Sequence, residues 1–159
     1  MTMRTSGPYD EAMSKRPRKP RRRPAADTLV FSFLDAAQAV EARLEAAVSP
    51  TGLSLAKLAV LHILADAKEP LPLSDLATRQ HCVRSNITQL VDRLENDGLV
   101  HRRTAPDDGR SVLAELTPTG VRAHTRGMRA LAQARRAIVS MLDPDDAASL
   151  KSALKALTS

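Results

Sequence analysis

Apolar positions recur at three- and four-residue steps along most of the chain, the spacing of one helix face, and alternate in only one short stretch. Val30, Phe33, Leu34, Ala37, Val40, Leu44 and Val48 mark a first helix from about Thr28 to Val48, broken by Ser49-Pro50-Thr51-Gly52. Ser54 can cap a second helix reaching about Ala67, with Leu58, Leu61, Leu64 and Ala65 on one face; Glu69-Pro70-Leu71-Pro72 ends it. A short helix from about Leu73 to Gln80 turns Leu76 and Ala77 inward, and His81 and Cys82 form a turn. A further helix from about Arg84 to Asp97 carries Ile87, Leu90, Val91 and Leu94 as its apolar stripe and stops at Gly98, a residue suited to a left-handed cap.

After Gly98 the pattern switches to strand. Leu99 to Thr104 and Ser111 to Leu116 flank the turn Pro106-Asp107-Asp108-Gly109, predicting a β-hairpin. Thr117-Pro118 opens a long helix to about Met141. Asp143-Pro144 opens a last one, with Leu150, Leu154 and Leu157 on one side and Asp145 and Asp146 matched to its N-terminal dipole. The predicted fold is mainly α with a small β-hairpin: a winged helix-turn-helix over 54–117 between helices 28–48 and 118–157.

Composition supports this reading. Ala and Leu, 25 and 21 residues, far outnumber Val and Ile, 10 and 3, which disfavours an all-β fold. Charge interrupts every apolar run before membrane-spanning length, and no apolar segment follows the N-terminal basic run, so neither a membrane span nor a signal peptide is expected. The single cysteine excludes an intrachain disulfide and a Cys-rich zinc site, and fits a cytoplasmic protein.

The net charge of +6 is unevenly placed. Residues 1–26 hold eight Lys/Arg against two acids, whereas residues 27–159 hold sixteen of each. Arg16, Arg18, Lys19, Arg21, Arg22 and Arg23 alternate with Pro17, Pro20 and Pro24, a composition that cannot bury a core; 1–26 is expected to be a disordered tail. It reads equally well as an arm tracking DNA phosphates and as a solvated tail.

The helix from Arg84 places Arg84, Ser85, Asn86, Thr88, Gln89 and Arg93 off its apolar stripe. Arginine can bridge guanine O6 and N7, and Asn or Gln adenine N6 and N7, so this face offers what major-groove readout needs. No acid occurs from Arg84 to Val91, whereas a merely solvated helix face usually mixes both charges.

The run Leu76-Ala77-Thr78-Arg79, then Arg84 through Val100, then Asp108-Gly109-Arg110-Ser111 and Leu116-Thr117-Pro118-Thr119-Gly120 resembles the multiple antibiotic resistance regulator (MarR) family over about Leu29 to Leu157. The resemblance implies a homodimer whose first and last two helices intertwine and whose two winged helices meet a pseudo-palindromic operator on double-stranded DNA. It further implies a transcriptional regulator, most often a repressor released by a small-molecule effector or by oxidation. By position, Arg84, Ser85, Asn86, Thr88 and Gln89 fall at the base-reading start of the recognition helix. Asp108 and Arg110 match the family's wing pattern, with the acid holding the loop and the arginine approaching the minor groove; Arg103 belongs to the same wing. The bland alternative for Asp108 and Arg110 is a turn-stabilising ion pair.

Two departures stand out. His81-Cys82-Val83 replaces the family's glycine-containing turn, which predicts a turn without a positive φ or one that tolerates strain. Val83 has no capping oxygen, so Ser85 is expected to cap and the helix to start one or two residues late. Gly109 stands where a further wing arginine is common.

Cys82, flanked by Arg79, His81 and Arg84, is a candidate redox switch, although cysteines of its kind are commonly inert packing. His62 and His124, with Phe31, Phe33 and Arg43, are candidates for an effector pocket, but 2% aromatic content leaves few stacking walls. Four scattered histidines show no metal-ligand spacing, and neither metal nor cofactor is expected. Phosphate-cradling glycine loops, a nucleophile elbow and a paired-acid pocket are all missing from the sequence, so no enzyme is expected. The competing readings are a nonspecific architectural DNA-binding protein driven by the tail, and an interaction module that lost DNA binding.

Overall fold

The computed structural model of the chain describes residues 26–105 and 111–158. The order is α1 (Ala26–Val48), a 3-10 turn (Ser49–Thr51), α2 (Leu55–Ala67), β1 (Leu71–Pro72), α3 (Leu73–Arg79), α4 (Arg84–Asn96), β2 (Val100–Thr104), β3 (Val112–Leu116), α5 (Pro118–Val139) and α6 (Pro144–Thr158). The predicted helices and hairpin are present. The sheet has one more strand than the hairpin reading allowed: β1 pairs antiparallel with β3, Leu71 opposite Ala114 and Pro72 opposite Leu113, giving the order β1-β3-β2. Proline is tolerated there because β1 is an edge strand.

Local chemistry fixes the boundaries. Ser54 accepts a hydrogen bond from the Lys57 N–H at 3.2 Å, and Thr117 accepts one from the Gly120 N–H at 2.9 Å, so both predicted caps form. Gly98 is left-handed, φ 68°, and its N–H donates to the Glu95 carbonyl at 2.8 Å while the Leu99 N–H reaches the Leu94 carbonyl at 2.9 Å. That closes α4 by the expected glycine cap.

The core joins α2, α3, α4 and the sheet. Leu58, Val60, Leu61, Leu76, Ile87, Val91, Leu94, Val100 and Ala114 are all at most 2% exposed. α5 docks on this core through its small residues. A Cβ at Gly120 would stand 2.0 Å from the Leu99 carbonyl oxygen, so only glycine permits this approach.

Outside the winged helix, α5 alone contributes a row of buried residues among the described residues. α1 buries Val48 at its end, and α6 buries nothing. Leu29, Val30, Phe31, Phe33, Leu34, Val139, Met141, Leu142, Leu150, Leu154 and Leu157 are exposed. Among the described residues no single helix is long and apolar enough to cross a membrane.

Candidate nucleic-acid interface

α4 sits on the core by Ile87, Val91 and Leu94, which are fully buried, with Leu90 packed at the edge. A helix held by that stripe must present its other residues outward. Arg84, Ser85, Asn86, Gln89 and Arg93 are exposed, and Thr88, half-buried, donates its hydroxyl to the Arg84 carbonyl at 3.0 Å. The six predicted residues thus lie on one helix, and the first five form an acid-free surface over its first two turns.

The turn before α4 settles the first departure; Gly109, the second, lies outside the described residues. His81 has φ 52°, so the left-handed conformation persists without glycine and a histidine tolerates it. The expectation that Ser85 caps a late helix is incorrect. α4 begins at Arg84 with Val83 as N-cap and no side-chain cap; the Asn86 and Ile87 N–H groups point to the Val83 carbonyl.

The acids toward the far end of α4 are engaged, and the residue that engages them was not among the sequence candidates. Arg102 on β2 donates through Nε to Glu95 Oε2 at 2.6 Å, its backbone N–H reaches Glu95 Oε1 at 3.1 Å, and its Nη1 pairs with Asp92. The Arg102 hydrogen bond holds the Glu95 carboxyl below its usual range, overriding the opposing effect of burial. In turn, bonding to Glu95 raises Arg102. Two acids three residues apart on a helix, followed by an arginine in the next strand, are the signal that would have found this clamp. Lys57 on α2 takes Asp97, the third acid, at 2.5 Å.

Within the wing, Arg103 is exposed on β2 and lies 3.9 Å from Glu115 of β3. The Ala105 N–H donates to the Ser111 carbonyl at 2.8 Å, closing the strands at the base of segment 106–110. Asp108 and Arg110 lie outside the described residues, as do the tail positions Arg16, Arg18, Lys19, Arg21, Arg22 and Arg23.

The remaining candidates are dispersed. Cys82 is half-buried against the core, and its N–H donates to the Ala77 carbonyl at 3.1 Å. His62 and His124, 62 positions apart, meet at 3.3 Å. His62 also lines a cleft of about 290 Å³ with Leu44, Leu55, Leu58, Met128 and Arg135. Phe33 is exposed on α1 and does not line that cleft. Arg43 donates to the Met141 sulfur at 2.8 Å, tying α1 to the turn between α5 and α6. Among the described residues no group of three or more His, Cys, Asp or Glu is placed to hold a metal ion.

A helix pair, a three-stranded wing sheet and an acid-free outer face on the second helix define a winged helix-turn-helix protein of the DNA-binding kind. Residues 53–112 match the family model of the MarR family. The HTH-type transcriptional repressor YetL of Bacillus subtilis is 36% identical over 93 residues, covering 58% of this chain and 56% of its own length. This chain thus spans little more than half of that relative. The homoprotocatechuate degradative operon repressor of Escherichia coli is 29% identical over 112 residues, 70% of this chain and 75% of the relative. Among solved structures, the transcriptional repressor CouR bound to a 23-mer DNA duplex is 27% identical with a TM-score of 0.73, covering 84% of this chain and 94% of that one. Over residues 53–112 the chain is thus similar to the MarR family, and the fold around that segment is shared with transcriptional regulators of solved structure.

Proposed function

We propose that the chain is a homodimeric repressor that reads a pseudo-palindromic operator with two copies of α4 in successive major grooves. The observation that carries this reading is the acid-free exposed face Arg84 to Gln89, set on a buried stripe while Arg102 and Lys57 occupy the acids behind it. A phosphate-lined groove repels uncompensated carboxylates, so neutralising Asp92, Glu95 and Asp97 within the domain suits that contact. Arg103, Asp108 and Arg110 make up the wing, with Arg110 entering the minor groove, and the basic residues of 1–26 track flanking phosphates.

The homodimer rests on the exposed apolar faces of α1 and α6, which a second copy would cover. A small-molecule effector fits the cleft lined by His62, Met128 and Arg135: an apolar floor with a cationic rim suits a compact organic anion. A ligand there would bear on α2 and α5 together. Cys82, packed beside the turn into α4, is the remaining regulatory candidate. A regulator of this kind acts on DNA in the cytoplasm.

The deciding experiment is selection of genomic fragments by the full-length protein, followed by titration of the selected DNA against random DNA at one salt concentration. A specificity ratio of roughly a thousand or more supports the operator reading. A steep salt dependence with no sequence preference would instead identify an architectural protein driven by its tail.

A further inference from the structure

α5 packs tightly at Gly127, where a Cβ would stand 2.7 Å from Leu58 Cδ1 of α2 and 3.1 Å from Leu53 Cδ1. One turn away along each helix, His62 Nδ1 and His124 Nε2 lie 3.3 Å apart. The rings are inclined by only 13° with centroids 5.4 Å apart. The centroid separation exceeds that of the nitrogens by about two ring radii, so the nitrogens point at one another. This is an N–H···N hydrogen bond between the helices rather than a face-to-face stack.

Such a bond needs a hydrogen on one nitrogen and a lone pair on the other. A neutral pair satisfies that condition, and so does a pair with one extra proton. With two extra protons both facing atoms carry N–H groups, and the bond becomes a repulsion between two cations. Among the described residues neither ring forms an ion pair with a carboxylate. Arg135 of α5 is the charged group lining the cleft beside His62, and α1 contributes Leu44 there. Glu45 of α1 accepts from the Leu55 N–H at 2.8 Å. Asp66, one turn on along α2, is exposed, and Glu115 of β3 lines a separate cleft with Lys68 and Glu69. Arg122 and Arg126, which flank His124 along α5, add positive charge. Burial, and then His62, hold His124 below the ordinary imidazole range.

We propose that His62 and His124 form a proton-operated latch between the winged-helix core and α5, closed with no extra proton or one and forced open by the second. The Gly127 contact leaves the helices little room to adjust, so the rings must part or the crossing must shift. α5 begins at the foot of the wing, where Thr117 donates to the Gly98 carbonyl at 2.8 Å. A shift of the crossing therefore changes how the wing and α4 are carried on α5, and mild acid becomes an input to the regulator.

The test is titration of the full-length protein from about pH 8 to about pH 5, following the histidine Cε1–H signals by NMR and thermal unfolding in parallel. In His124→Gln an amide nitrogen stands in for Nε2 and cannot titrate, and in His62→Asn the same holds for Nδ1. The native pair should titrate in two coupled steps, with each ring sensing the other. In His124→Gln the His62 signal should collapse to a single step, and the loss of Tm on acidification should shrink by about 3–5 °C. Should His62 titrate identically in both proteins, or should native and variant share one Tm profile across this range, the latch does not exist. Single-step, independent titration of both histidines in the native protein would overturn it without any variant. None of these readouts involves DNA, so the result is separable from the DNA-binding reading.

Discussion

Arg102 on β2 holds Glu95 on α4 by three contacts: Nε at 2.6 Å, Nη2 at 2.5 Å and its backbone N–H at 3.1 Å. The backbone contact matters most for geometry, because it fixes the first wing strand against the helix whatever the rotamer of the guanidinium. The same guanidinium reaches Asp92 one turn earlier, so a single side chain braces α4 against β2 and masks two of the helix's acids.

Replacing Arg102 by Ala should therefore act twice. The pairs are half-exposed, so the stability loss should be modest, on the order of 1 kcal/mol by urea unfolding. The unmasked Asp92 and Glu95 should weaken binding to selected and random DNA alike. Glu95 titrates lower in the folded state than in the unfolded, so its contribution is complete above the ordinary value of 4.5 and is lost as pH falls through the folded value. Stability of the native protein should consequently fall more steeply than that of Arg102→Ala on acidification below about pH 4.5. Parallel curves would mean that the clamp does not form in solution.

His81 adopts φ 52° without the glycine that this turn favours. A left-handed non-glycine residue costs roughly 1–2 kcal/mol, partly offset because glycine is freer in the unfolded chain. His81→Gly should raise stability by about 0.5–1 kcal/mol, and the β-branched His81→Val should lower it by a comparable amount. Urea unfolding of the two variants checks the order; equal midpoints would contradict it.

Gly120 and Gly127 differ in what blocks a methyl group. At Gly120 the obstacle is backbone, the Leu99 carbonyl, which also accepts from the Thr117 N–H at 3.1 Å. At Gly127 it is the ends of two leucine side chains. Gly120→Ala should cost more than about 3 kcal/mol or prevent folding, whereas Gly127→Ala, with leucines that can turn, should cost about 1–3 kcal/mol. The reverse order in chemical denaturation would place α5 differently on the core.

What the sequence made legible, and what it hid, follows from the range of each interaction. Ser54, Thr117 and Gly98 cap within a few residues of themselves, so the limits of α2, α4 and α5 could be read locally. Ile87, Val91 and Leu94 form a stripe within one helix and announce its buried face, and with it the outward residues. β1 escaped because two residues cannot show alternation and one of them is proline. Val60 lies off the stripe drawn for α2 yet is fully buried, because that helix is packed on more than one side. The His62–His124 pair depends on a contact between elements that nothing local marks, whereas the Arg102 clamp is signalled only by the spacing of Asp92 and Glu95 ahead of an arginine in the next strand. Sequence does not decide the sign of φ at His81, because histidine is among the few residues that allow either outcome.

The exposed apolar surface predicts self-association. Leu154 and Leu157 on α6 are 37% and 73% exposed, and Phe31 on α1 is 65% exposed. Leu154→Glu with Leu157→Glu should shift sedimentation toward a smaller species, while the winged-helix core, to which α6 contributes no buried residue, stays folded by circular dichroism. A native protein that sediments as a stable folded monomer at micromolar concentration would remove the dimer and the palindrome with it.

Recognition helix and wing should separate by what each groove displays. Asn86 and Gln89 are exposed on the first two turns of α4, facing away from Ile87 and Val91. In the major groove every base pair offers a distinct pattern, so Asn86→Ala or Gln89→Ala should cost about 1–3 kcal/mol on selected DNA and little on random DNA. On the proposed reading Arg110 addresses the minor groove, where A·T and T·A look alike, so Arg110→Ala should weaken both DNAs and alter preference chiefly in the A·T content of the flanks. A dimer brings each substituted side chain to the operator twice, so the cost can approach double the single-site figure. Titrations at one fixed salt concentration, with circular dichroism on each variant, make the comparison. If Asn86→Ala and Gln89→Ala both leave the ratio of selected to random binding intact, the outer face of α4 is not reading bases, and phosphate attraction by the basic tail becomes the better account of the binding that persists.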